Sequence, residues 1–145
     1  MPEKETLKRM QKDKREGKAP TTQAGEFIRE EIHHVREGKH GAKSTKQAIA
    51  IGLSKARRAG VKLPAPDSPA PVRRRAKRDL QKARSGRKTS RRRARATRRA
   101  LEKAPHRTAS RKALSVQARS AARRRGARSR SAAAKKAART RTRSR

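Results

Sequence analysis

The chain has 145 residues and a net charge of +36, from 47 Lys and Arg against 11 Asp and Glu. It has no cysteine, tryptophan or tyrosine, and a single phenylalanine, Phe27. These numbers exclude disulfides and thiolate metal sites and almost exclude base stacking on aromatic platforms. They favour a polyanion as partner.

The opening "MPEKETLKRM" has no apolar core of a signal peptide, and no run approaches the length of a membrane span. The expectation is a cytoplasmic protein with no membrane partner. The first predicted element is a helix over residues 3–16 with only Leu7 and Met10 to bury. Its acids come early (Glu3, Glu5) and several bases late, which suits the helix dipole. Gly17 and Pro20 are expected to end it.

Residues 22–37, "TQAGEFIREEIHHVRE", set Ala24, Phe27, Ile28, Ile32 and Val35 on one stripe, with Thr22 as N-cap and Gly38 as stop. Residues 45–59, "TKQAIAIGLSKARRA", do the same with Ala48, Ile49, Leu53 and Ala56, stopped by Gly60. The fold class expected is all-α: a small N-terminal helical hairpin, helix-turn-helix-like, over residues 1–63. About 40 ordered residues sit at the limit of independent folding. A homodimer through this head, or DNA as a scaffold, would support it. Phe27, Ile28, Ile32, Val35, Ile49 and Leu53 form either the core of the head or a face that grips a partner.

Between the two stripes lies "GKHGAKST", residues 38–45, which carries the residue types of a phosphate-binding loop. The spacing is wrong for one. Counting from Gly38, the second glycine of the G-x-x-x-x-G-K-[ST] pattern falls on Lys43, and Gly41 comes two residues early. An amphipathic helix, not a strand, precedes it. Ser44 and Gln47 instead make a capping box that starts the next helix. A helix start ringed by Lys39, His40, Lys43 and Lys46 can seat one backbone phosphate. Sequence readout through Lys43, Lys46, Gln47 and Arg57 is the sharper form of the same idea.

His33, His34 and His40 raise the question of a metal. Adjacent His33 and His34 diverge on a helix, and Glu30–His34 and His33–Glu37 are ordinary i,i+4 pairs. Zinc needs more ligands on one face, so no metal and no other cofactor is expected. Glu30 and Glu31 read as solvated charges. No catalytic constellation is visible, and the chain is not expected to be an enzyme.

"LPAPDSPAPV", residues 63–72, holds four prolines, so 64–72 is expected to be a semi-rigid linker. Residues 1–63 carry 16 Lys and Arg against 8 acids; residues 64–145 carry 31 against 3. The second half, 64–145, has only five large apolar residues, Val72, Leu80, Leu101, Leu114 and Val116, too few for the tail, 73–145, to build a packed core. It is nonetheless rich in Ala and Arg, both strong helix formers, with caps at Ser90 and Ser110 and stops at Pro105 and Gly126. Like charges at i,i+4 oppose those helices in water. The expectation is a disordered tail, helix-prone in segments when a polyanion neutralises it.

The basic runs carry the functional signal. Candidate nucleic-acid contacts are Lys39, Lys43, Ser44, Lys46, Arg57 and Arg58 in the head. In the tail they are Arg73, Arg74, Arg75, Lys77 and Arg78; Arg91, Arg92, Arg93, Arg95, Arg98 and Arg99; Arg123, Arg124, Arg125, Arg128 and Arg130; and Lys135, Lys136, Arg139, Arg141, Arg143 and Arg145. Arg outnumbers Lys 24 to 7 in the tail, and Arg forks onto phosphate where Lys is a point charge.

"KREGKAPTTQAGEFIREEIHHVREGKHGAKSTKQAIAIGLSKARRAGVKLP", residues 14–64, resembles a bacterial family of small basic proteins whose domain has no assigned function. Its members are often labelled DNA-binding or plasmid-stabilisation proteins. The tail, with "ALSVQARSAARRRGARSRSAAAKKAAR", resembles longer members and the Ala/Lys/Arg tails of bacterial linker-histone-like proteins. The resemblance implies a bacterial cytoplasm and nucleic-acid binding, and it adds no catalytic residue. The function expected is a nucleoid-associated, histone-like protein that compacts DNA with little sequence preference. RNA or ribosome binding, and a partner-binding adaptor or plasmid-maintenance regulator, are the alternatives.

Overall fold

A computed structural model describes residues 2–64, 69–86 and 89–143. The centre of the expected linker, residues 65–68, and Arg145 lie outside the described residues. Six helices follow one another: α1 (Lys4–Arg15), α2 (Pro20–Arg36), α3 (Thr45–Arg58), α4 (Ala70–Ser85), α5 (Arg91–Glu102) and α6 (Arg111–Arg143), with a 3-10 turn at Arg107–Ala109 before α6. The described residues are all-α.

The ends of the first three helices follow from local chemistry. In each, the residue two beyond the last turn donates back across it: Lys18 to Asp13, Lys39 to His34 and Val61 to Ala56. This closure needs a left-handed residue in between. Gly17, Gly38 and Gly60 supply it, with φ of 67°, 76° and 90°. Pro20 was expected to end α1, with Thr22 starting α2. Instead Pro20 occupies the first turn of α2, where a missing N–H costs nothing, and Ala19 precedes it.

α2 and α3 cross where Gly52 faces the Ile28 backbone. A Cβ on Gly52 would meet Ile28 Cα at 2.7 Å, so only glycine permits this approach. Two apolar clusters flank the crossing. One joins Met10 of α1 with Ala24, Phe27, Ala56, Val61 and Leu63, and Leu7 and Leu53 pack on it. The other joins Ile32, Val35, Ala42 and Ala48 with Ala109, and Ile28 and Leu114 pack on it. Phe27 and Val35 are fully buried, Ile32 is buried, and Ile28, Ile49 and Leu53 are half-buried. Apart from Ile49, which neither cluster includes, these residues serve the core of this chain.

The expectation of a disordered tail is corrected. The described tail is helical over α4, α5 and α6. Local propensity prevails: Ser90 Oγ accepts from Arg93 N (3.4 Å) and Ser110 Oγ accepts from Ala113 N (3.2 Å), starting α5 and α6 at the predicted caps. α6 breaks at Gly126, where φ is 72° and ψ 163°. Nor is the tail free of the core. Ala76 and Asp79 of α4 are buried, as are Ala104 and Ala109 on either side of Pro105. Alanines and backbone groups make these contacts, where large apolar residues were sought.

Candidate nucleic-acid interface

The "GKHGAKST" loop is the dock for the segment between α5 and α6. Gly41 N donates to Leu101 O (2.8 Å) and Ala42 N to Pro105 O (3.1 Å). Thr108 Oγ1 donates to Ala42 O (3.1 Å), and Thr45 Oγ1 donates to Thr108 O (2.6 Å). A Cβ on Gly41 would fall 1.7 Å from Ala104 O, so this glycine exists to let another backbone touch it. The capping box forms at the expected residues with one change. Gln47 N donates to Ser44 Oγ (3.1 Å), while Gln47 Oε1 accepts from Lys43 N (2.6 Å) rather than from the Ser44 amide.

The head cations divide into free and engaged. Lys43, Ser44 and Lys46 are exposed at the start of α3. Lys39 is held by Glu3 (3.3 Å) and Glu37 (3.1 Å). Those two carboxylates hold its ammonium above the usual lysine range, and Lys39 in turn helps hold Glu37 below the carboxylate range. Arg57 is buried, against a cleft that also takes Leu63, Arg73, Arg74 and Leu80. Arg58 pairs with the buried Asp79 of α4 at 3.1 Å.

The tail cations show a different pattern. Arg73, Arg74, Arg75, Lys77 and Arg78 on α4 are exposed, as are all six arginines of α5. On α6, Arg123, Arg124, Arg125, Arg128, Arg130, Lys135 and Lys136 are exposed too, with Arg139, Arg141 and Arg143. Among the described residues of 69–143, no Lys or Arg is in an ion pair; the one tail acid so engaged, Asp79, is taken by Arg58 of the head. α5 carries six arginines in 12 residues. At about 1.5 Å rise per residue this is one cation per about 3 Å of axis. Duplex DNA offers one phosphate per about 1.7 Å. Arg91, Arg95, Arg98 and Arg99 fall on one face by helical spacing.

The acids of the head turn inward. Glu30 and Glu31, read from sequence as solvated, are 4% and 0% exposed. Lys55 of α3 reaches both, at 3.0 Å from Glu30 Oε1 and 2.8 Å from Glu31 Oε2. Burial pushes Glu30 up, but the Glu3 amide, Thr6 and Lys55 outweigh it and hold the carboxyl below its usual range. Burial likewise pulls Lys55 down, and Glu31 and Glu30 outweigh it and hold the ammonium above its usual range. His33 pairs with Glu37 as expected, at 2.8 Å. His34 turns to Glu3 (2.8 Å), and His40 to Glu31 (3.3 Å). Sequence spacing missed this grouping because His40 arrives from the loop and Lys55 from another helix.

Residues 4–66 match the model of a family of unknown function, DUF6496. The matched stretch contains α1, α2 and α3 and the whole of residues 14–64 that carry the resemblance. It leaves α4, α5 and α6 outside the match. No curated protein and no solved structure matches the chain. Among the described residues no helix is long and apolar enough to cross a membrane.

Proposed function

We propose that the chain is a nucleic-acid-binding protein with little sequence preference, that duplex DNA in the nucleoid is its main ligand, and that the DUF6496 head positions an arginine-rich helical surface which neutralises and compacts it. One observation supports this reading above the rest. The acids of the head pair with cations of the head, and among the described residues the exposed cations of α4, α5 and distal α6 make no ion pair. Such a surface repels itself until a polyanion lies along it. Binding then releases counterions and depends steeply on salt.

The test is fluorescence anisotropy of full-length protein on duplex DNA and on structured RNA between low and physiological salt. Eight phosphate contacts give a slope of log K against log salt of about −7. Replacing Arg91–Arg93 and Arg123–Arg125 with Gln should flatten that slope by up to about 5. An unaltered slope refutes tail contacts. Tighter binding to RNA at every salt moves the function to the ribosome or another RNA.

A further inference from the structure

The geometry points to a site for a divalent transition-metal ion, zinc being the model, bound by Glu31, His34 and His40 where α2 meets the loop that follows it. One ligand atom from each of these three residues lies within 4.8 Å of the others. Glu31 and His34 are one turn apart on α2, and the loop beyond Gly38 brings His40 back over them. His40 Nε2 to Glu31 Oε1 is 3.3 Å. That equals the ligand–ligand edge of a tetrahedral site whose bonds are about 2.0–2.1 Å.

Two further observations set this group apart from an ordinary buried ion pair. The first is the Glu31 carboxylate. It is fully buried, and neither oxygen accepts a hydrogen bond of proper geometry. Lys55 stands 2.8 Å from Oε2, on the other oxygen from the one that faces His40. A buried carboxylate short of hydrogen bonds is costly, and a cation on Oε1 satisfies it. The second is the orientation of His40. Its Nδ1 lies 3.1 Å from Gly41 O, a carbonyl that can only accept, so the proton sits on Nδ1. In the neutral ring Nε2 then presents a lone pair to a carboxylate oxygen, and a metal ion joins these two atoms where otherwise a second proton must. An imidazole fixed by a backbone carbonyl is the usual support of a metal-bound histidine. Glu3 does the same for His34, at 2.8 Å from Nε2.

The charge balance fits a dication. Glu3, Glu30 and Glu31 face this group with Lys39 and Lys55, a net of one negative charge with both imidazoles neutral. Nitrogen and oxygen donors without sulfur suit zinc, nickel or cobalt over magnesium or calcium. The site lies beside Gly41 and Ala42, so metal binding would tighten the loop on which the 101–109 segment docks. It would leave the nucleic-acid surface untouched.

The experiment uses full-length protein stripped with chelator. Zinc is titrated by calorimetry and cobalt by visible absorption. One equivalent of zinc is expected, with cobalt bands of four-coordinate intensity and a raised melting temperature. His34→Gln and His40→Gln should each weaken cobalt binding at least tenfold. His33→Gln, which removes an exposed histidine, should leave it unchanged. Absence of cobalt bands in the unmodified protein overturns the site and leaves a protonated His40–Glu31 ion pair in its place. So does binding that His33→Gln abolishes and the other two spare. Diethyl pyrocarbonate modification guards against variants that misfold. Zinc should slow modification of His34 and His40 in the unaltered chain and spare neither His33 nor His106; equal rates with and without zinc refute the proposal.

Discussion

Replacing Gly41 with Ala should undock the 101–109 segment without unfolding the head. The added methyl carbon would lie 1.7 Å from Ala104 O, 2.3 Å from Ala104 C and 3.0 Å from Pro105 O. These are backbone atoms, so no side chain can rotate aside. The segment must leave, and up to six hydrogen bonds go with it: Gly41 N to Leu101 O, Ala42 N to Pro105 O, Thr108 Oγ1 to Ala42 O, Thr45 Oγ1 to Thr108 O, Arg36 Nε to Ala109 O and His106 Nδ1 to Val35 O. Each is worth about 1 kcal/mol net. Chain freedom returned to the released segment offsets part of that, which leaves a loss of about 2 kcal/mol. Hydrogen exchange reads it directly: the Gly41 and Ala42 amides should exchange at least tenfold faster, while Phe27 and Val35 amides keep their protection. Trypsin should cut faster after Lys103 and Arg107. DNA affinity should hold, because the exposed arginines remain. Unchanged protection at Ala42 would show that the close approach is not what this glycine serves.

A truncation, a core substitution and an acid titration probe the same division. Ending the chain at Gly126 removes Arg128, Arg130, Lys135, Lys136 and four further arginines, and, among the described residues, no buried side chain. Circular dichroism should show α1–α5 retained and anisotropy a flatter salt slope; a collapsed fold would mean that distal α6 supports the head. Phe27→Asp puts a charge into a fully buried position and should unfold the head at a cost above about 4 kcal/mol, while low-salt DNA affinity persists. Loss of most affinity in that variant would contradict a tail-borne function. Glu30 is held below the usual carboxylate range, so its contribution is complete above about pH 5 and lost as pH falls through about 4 and below. The melting temperature should drop across that window, and Glu30→Gln should flatten the drop; an identical acid profile in the variant refutes the assignment.

The head was legible because its signals are local. The stripe of Phe27, Ile28, Ile32 and Val35, the glycine stops and the Ser44 box each depend on neighbours within a turn or two. What the sequence hid depends on distance. Gly41 looked like half of a phosphate loop because its true contact, Ala104, is more than 60 residues away. Glu30 and Glu31 looked solvated because Lys55, which neutralises them, belongs to another helix. His40 falls outside the helical spacing of His34 and is brought to it by a loop. The tail was misread for a different reason. Charge density argued for disorder, while alanine, arginine and the serine caps argued for helix, and the described structure follows the local terms. The docking alanines, Ala104 and Ala109, carry no periodicity that could have announced them.

Those competing terms lead to one last expectation, on distal α6. Lys135, Arg139 and Arg143 follow one another at i,i+4, as do Arg124 and Arg128 across the break at Gly126. Each like-charged pair within a helix opposes it by about 0.2–0.5 kcal/mol, and salt screens the opposition. Among the described residues beyond Gly126 no side chain is buried, so propensity rather than packing holds this stretch, although Arg143 reaches to 3.5 Å from a Cβ placed on Gly17. The helical signal of a peptide spanning 127–145 should therefore rise with sodium chloride, and rise further with duplex DNA at equal ionic strength. A peptide equally helical in dilute buffer, concentrated salt and DNA would mean that mutual repulsion among these cations is too weak to matter, and the force proposed to drive this surface onto nucleic acid would be missing.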